Sequence, residues 1–132
     1  MIKVNRQAKS VLDKLIQGLE EPGDHREIDN APGAFMSVHV EHIGECSLGP
    51  MFSVAHYYEQ NGDLMKDPDM VFIRAEGDYY PLEFQQDNLG LYQCTVRWNT
   101  DGQVESVNQK LQQSLANFTG EWMSNIRQQQ KL

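Results

Sequence analysis

Hydrophobic positions recur every third or fourth residue at both ends of the chain and every second residue between them. Val4, Ala8, Val11, Leu12, Leu15, Ile16 and Leu19 make one stripe at helical spacing. Asn5 is the predicted N-cap, its side chain accepting a free backbone N–H of the first turn. Gly18 weakens the last turn and Pro22-Gly23 ends the helix. Val107, Leu111, Leu115, Phe118, Trp122 and Ile126 set a second helix from about Ser106 to Arg127. Gly120 inside it costs about 1 kcal/mol relative to Ala. Residues 128–132 form a polar tail expected to fray.

In the middle, Met36, Val38 and Val40 alternate with Ser37, His39 and Glu41 within a strand spanning 34–43. After a turn at Gly44 to Pro50, Met51 to Glu59 sets Phe52, Val54, His56 and Tyr58 against Ser53, Ala55 and Tyr57. An Asn61-Gly62 turn leads into a loop carrying Asp63, Asp67 and Asp69. Met70 to Ile73 is apolar on both faces, as in a central strand. Beyond Glu76-Gly77-Asp78, Tyr80, Leu82 and Phe84 alternate with Tyr79, Pro81, Glu83 and Gln85. Pro81 has no N–H for the ladder, so an edge or a bulge must lie beside it. Leu91 to Trp98 sets Tyr92, Cys94, Val96 and Trp98 against Gln93, Thr95 and Arg97. Asn99 to Gly102 is a turn by composition, and Glu20 to Gly33 reads as an exposed connector.

Connections of hairpin length predict an α+β fold: a five-stranded antiparallel meander with both terminal helices on one face (αβββββα). Met36, Phe52, Phe72, Phe84 and Trp98 would then meet Leu12, Leu15, Leu115 and Trp122 across the core. The far face keeps His39, Glu41, Tyr57, Glu83, Gln85, Thr95 and Arg97, polar and partly aromatic. The 132 residues suit one domain, 1–132, able to bury a core without staples.

Charge narrows the partners. Eleven Lys and Arg against 19 Asp and Glu leave a net −8, a field that repels nucleic acid and disfavours direct binding to it. The same surface can imitate DNA toward a basic protein, although excess acid is also an ordinary means of staying soluble. No apolar run approaches the roughly 20 residues of a membrane helix, and residues 1–7 lack a signal-peptide pattern, so the expected location is cytoplasmic. Cys46 and Cys94 form no CxxC pair and read as free thiols, Cys94 as a small core residue.

Three constellations carry candidate chemistry. Asp63, Asp67, Asp69 and Asp87 fall at one rim of a meander and together offer oxygen ligands to a divalent cation. Their spacing is not that of an EF-hand, and Asp-Pro and Asn-Gly-Asp are also plain turn chemistry. Pro68-Asp69 followed by Glu83-Phe84-Gln85 matches part of the Pro-Asp…(Asp/Glu)-x-Lys pattern of restriction-type nucleases, with Gln85 where the lysine belongs. His56, or His39 with Glu41 and Glu83, offers acid–base chemistry, but His56 shares a face with Phe52 and Val54, as a structural histidine does. No nucleophilic triad, phosphate loop or dinucleotide fingerprint occurs.

The stretch from His56 to Met70, Tyr80-Pro81-Leu82-Glu83-Phe84-Gln85-Gln86-Asp87 with Gly90-Leu91-Tyr92-Gln93, and Trp122-Met123-Ser124-Asn125-Ile126 resemble an uncharacterised domain of gut-bacterial conjugative elements and phages. That domain is sometimes encoded with antirestriction-type proteins. The resemblance spans about residues 34–127 and departs at Arg127-Gln128-Gln129, where those domains carry a glycine and an aromatic. It implies an accessory role in a mobile element and assigns no activity to any residue. The expectation is a protein-interaction module without a cofactor, binding through Tyr57, Asp63, Asp67, Asp87, His39 and Arg97. The alternative is a metal-dependent hydrolase or degenerate nuclease built on Asp69 and Glu83, with Gln85 and His56 beside them.

Overall fold

The computed structural model describes residues 1–132. In chain order the elements are α1 (Arg6–Ile16), β1 (His25–Ile28), β2 (Val38–Cys46), β3 (Gly49–Gln60), β4 (Asp63–Ala75), β5 (Asp78–Gln86), β6 (Leu91–Cys94), β7 (Val96–Trp98), β8 (Val104–Val107) and α2 (Gln109–Gln129). Strands β1 to β6 lie side by side in that order as one antiparallel sheet, while β7 and β8 form a separate two-stranded ribbon. The α+β class and the antiparallel meander stand. The five-strand description does not, because two strands lie where the sequence shows no apolar alternation and the last predicted strand is divided into β6 and β7.

The first of these is β1, whose His-Arg-Glu-Ile reads as connector. It pairs with the edge of β2, Arg26 opposite Val40. Its side chain explains why the chain returns there. The Arg26 guanidinium donates to the carbonyls of Leu15 at 2.6 Å and Gln17 at 2.5 Å, satisfying acceptors that the end of α1 leaves open. At the other end of α1, Asn5 accepts from the Ala8 N–H at 2.7 Å, as its cap position predicts.

Asn61 and Gly62 both take positive φ, 54° and 85°, the two-residue turn whose twist matches the flanking strands. Pairing therefore runs to the tip, Gln60 opposite Asp63. The aspartate segment is the first half of β4, not a loop. Its register slips between Ala55 and Tyr57, at the cis Asp67-Pro68 peptide. Likewise β2 and β3 extend through most of the turn expected at Gly44 to Pro50, which shrinks to Ser47-Leu48.

One core joins both helices to one face of the sheet. Val11, Leu12, Leu15, Leu115, Met123 and Ile126 pack against Val38, Val40, Phe52, Val54, Met70 and Phe72. Met36 and Trp98, expected there, are absent: Met36 precedes β2 and is exposed, and Trp98 belongs to the ribbon. On β5 the expected alternation inverts. Phe72 pairs with Pro81 and Val71 with Glu83, leaving Leu82 as the extra residue of a bulge beside Pro81. The bulge sends Tyr79 and Phe84 to the helix side and Leu82 to the far side.

The predicted strand from Leu91 to Trp98 breaks at Thr95. That residue is buried, its hydroxyl donating to the Pro81 carbonyl at 2.7 Å and its N–H to the Leu82 carbonyl at 2.8 Å. The chain then crosses to the far face as the β7–β8 ribbon, where Val96, Trp98, Val104 and Val107 cover Val71, Ile73 and Leu82. The start expected for the second helix is thus β8, and Asn108 caps α2 by accepting from the Leu111 N–H. Cys94 is exposed, not a core residue, and both thiols are free. The polar tail does not fray. Helix α2 continues to Gln129, and fully buried Gln130 accepts from the Asn30 N–H at 2.7 Å and donates to the Met36 carbonyl at 3.1 Å. No helix is long and apolar enough to cross a membrane.

Candidate functional site

Because the ribbon covers only one end of the far face, the other end stays open as a hollow of about 430 Å³. Alternation builds it. Ser53 and Tyr57 come from β3, Asp69 from β4 and Glu83 with Gln85 from β5, while Glu41 and Tyr92 stand at its sides. A smaller recess of about 200 Å³ adjoins it, sharing Glu41, Ser53 and Tyr57 and adding His39 from β2.

Asp69 lies at the centre with only 14% of its side chain exposed. Ser53 donates to Oδ1 at 2.7 Å, and Lys66 Nζ stands 3.9 Å from Oδ2. Burial raises its pKa, with Glu83 and Asp87 adding to the rise and Ser53 and Lys66 opposing it. Burial and then the charges of Asp69, Glu41 and Asp87 hold the Tyr57 phenol above its ordinary value. The Tyr92 hydroxyl donates to Glu83 Oε1, and this bond is the main reason its pKa is raised. His39 meets the Tyr57 ring edge-on, centroids 5.0 Å apart, and its Nε2 is 3.9 Å from Glu27. The hollow thus presents three carboxylates and two tyrosines around one ammonium group.

The predicted residues divide between three places. Tyr57, His39, Glu41, Asp69, Glu83 and Gln85 do share the open face. Thr95 is buried beneath it, and exposed Arg97 projects from β7 outside the hollow. His56 lies on the opposite side, under α2. Its Nδ1 accepts from Trp122 Nε1 at 3.4 Å and its buried Nε2 has no partner, so burial lowers its pKa and it cannot reach the far-face acids.

The four aspartates do not gather into a cation site, and no three His, Cys, Asp or Glu side chains are placed to hold a metal ion. Each inner acid already serves the fold. Asp87 accepts from the Lys66 N–H at 2.7 Å, tying the β5–β6 turn to β4, and Asp67 accepts from the Gln86 amide. Asp63 sits exposed at the hairpin tip.

Ser53, Lys66 and Tyr92 line the hollow but are not among the predicted site residues. Ser53 shares the parity of Tyr57, a legible signal. Lys66 emerges only from the cross-strand register that sets it opposite Tyr57. Its Nζ donates to Gln85 Oε1 at 3.0 Å, which brings an ammonium group to the strand position where the nuclease-like pattern lacks its lysine.

No curated protein and no solved structure is similar enough to the chain to match it. A family model described as a domain of unknown function, DUF6908, matches residues 7–132, and the chain belongs to that family.

Proposed function

We propose that this chain is a protein-interaction module that receives a basic segment of a partner protein in the far-face hollow. The observation that carries the reading is the grouping of Glu41, Asp69 and Glu83 with Tyr57 and Tyr92 around one open hollow on the face away from the helices. An Arg or Lys side chain entering there meets carboxylates and aromatic faces together, the chemistry that favours cations. A net charge of −8 speeds the approach of such a partner. An acidic face offered to a DNA-binding partner is also how DNA mimicry would serve host-defence evasion, and the likeness to mobile-element domains supports an accessory role of that kind. The setting is cytoplasmic, where Cys46 and Cys94 stay reduced.

A second reading, metal-dependent hydrolysis, is favoured by one observation: Asp69 and Glu83 face the same hollow with Lys66 beside them. A divalent cation on the two carboxylates would supply an activated water there. Against it, Lys66 and Ser53 occupy Asp69, and Tyr92 occupies Glu83.

Amide chemical-shift mapping separates the two. An oligo-arginine peptide is expected to shift Tyr57, Asp69, Glu83 and Tyr92 together, while Mn²⁺ leaves Asp69 and Glu83 unbroadened. Selective Mn²⁺ broadening of those two with no peptide response would replace the module by the hydrolase.

A further inference from the structure

On the helix side of the sheet, α1 overhangs the ends of β2, β3 and β4 and leaves a cleft of about 640 Å³. That is the size of a small-molecule site. It shares no residue with the far-face hollow. His42 forms part of its wall, 1% exposed and tilted against the Phe52 ring with centroids 4.8 Å apart. Neither ring nitrogen has a hydrogen-bond partner. Glu45 Oε1 comes within 3.4 Å of Nε2 without the geometry of a hydrogen bond. A buried imidazole without a hydrogen-bond partner is rare and calls for a cause. It sits at a β-bulge, the register slipping between His42 and Gly44, a device that re-aims side chains beside binding sites.

The charges around the cleft are equally specific. Asp13 is already satisfied, receiving Lys9 Nζ at 2.7 Å and the Tyr79 hydroxyl at 2.8 Å. Arg74 lies over the Tyr79 ring, 5.9 Å from its centroid, with no carboxylate within ion-pair distance. Glu45 pairs with Pro50 in the β2–β3 register, and Arg74 follows Ile73, the partner of Met51. Glu45, Pro50 and Arg74 therefore form one row across three strands, a carboxylate and a guanidinium whose backbones stand about 10 Å apart, twice the strand spacing. The whole lining sets Lys9, Lys14 and Arg74 against Asp13, Glu20 and Glu45, so it favours neither a lone anion nor a lone cation. A molecule carrying both charges matches Arg74 and Glu45 together.

We propose that this cleft binds a small zwitterion of the amino-acid class, its carboxylate on Arg74 and its ammonium on Glu45, with the buried His42 ring in the wall behind them. Ile16, Leu19 and Phe52 supply an apolar wall, so the side chain it takes is apolar.

The test is an NMR titration of the full chain with L-leucine, read on the His42 ring signals, with N-acetyl-L-leucine and L-leucinamide as single-charge analogues. Arg74 and Glu45 are surface residues, so Arg74→Gln and Glu45→Gln keep the fold while His42 stays in place as reporter. L-leucine is expected to shift the ring signals saturably, and each variant and each blocked analogue to weaken binding at least about tenfold. Absence of a saturable shift with L-leucine overturns the proposal. So does equal binding by either analogue, or unchanged affinity in both variants.

Discussion

Gly120 lies where α2 crosses the start of α1, and a Cβ there would stand 2.6 Å from Asn5 Nδ2. Helix propensity alone favours Gly120→Ala by about 1 kcal/mol. The contact cancels that gain, because Asn5 withdraws by giving up its bond to the Ala8 N–H, and such caps contribute about 1 kcal/mol. Urea unfolding is expected to show Gly120→Ala no more stable than the parent chain, yet stabilising by about 1 kcal/mol when introduced into Asn5→Ala. His56 makes a second statement at this scale. Its folded pKa lies below the ordinary 6.5 because burial disfavours the charged ring. The unfolded chain thus takes up a proton first as pH falls, and the stabilisation present above 6.5 is lost below it. Between about pH 7.5 and 5.5 the parent chain is expected to lose more stability than His56→Asn, whose amide oxygen can still accept from Trp122. Equal losses would remove His56 as the cause. Single residues with strong local preferences were the most legible: Asn5 as cap, Asn61-Gly62 as turn, and Pro81 as the mark of a bulge. Gly120 was legible only as a defect, since its reason lies in another helix.

Elements were legible where their own hydrophobic period reports their burial. α1 and the paired stretches of β2 and β3 carry such periods. β1 and β8 do not, because β1 is held by an edge pairing and the Arg26 bonds, and β8 by its partner β7. The end of α2 misled for a similar reason: its polarity suggests a free tail, yet Gln130 spends that polarity on the segment leading into β2. Gln130→Ala removes the acceptor of the Asn30 N–H and the donor to the Met36 carbonyl. It is expected to cost about 1–3 kcal/mol in urea unfolding and to open residues 30–37 to limited proteolysis. An unchanged midpoint with an uncut segment would show the contacts to be incidental.

For the whole molecule, packing both helices in one core frees the far face, and the β7–β8 ribbon then decides how much of it stays open. Alternation predicts one strand over Leu91 to Trp98 where two exist, which conceals the ribbon and sets Thr95 and Arg97 on the far face. The part of the site built by parity, Tyr57, Glu83 and Gln85, survived that error. The part built by register, Lys66 beside Asp69, was not legible, because register depends on bulges that no single strand encodes. What matters most is whether this hollow, and not the general acidity of the protein, binds basic partners. Calorimetric titration of an oligo-arginine peptide into Glu41→Gln/Glu83→Gln, compared with Glu105→Gln/Glu121→Gln of identical net charge, asks that directly. Binding about tenfold weaker in the first variant alone, roughly 1.4 kcal/mol, is the expected result. Equal affinity in the two would contradict it, leaving the −8 charge as the whole explanation.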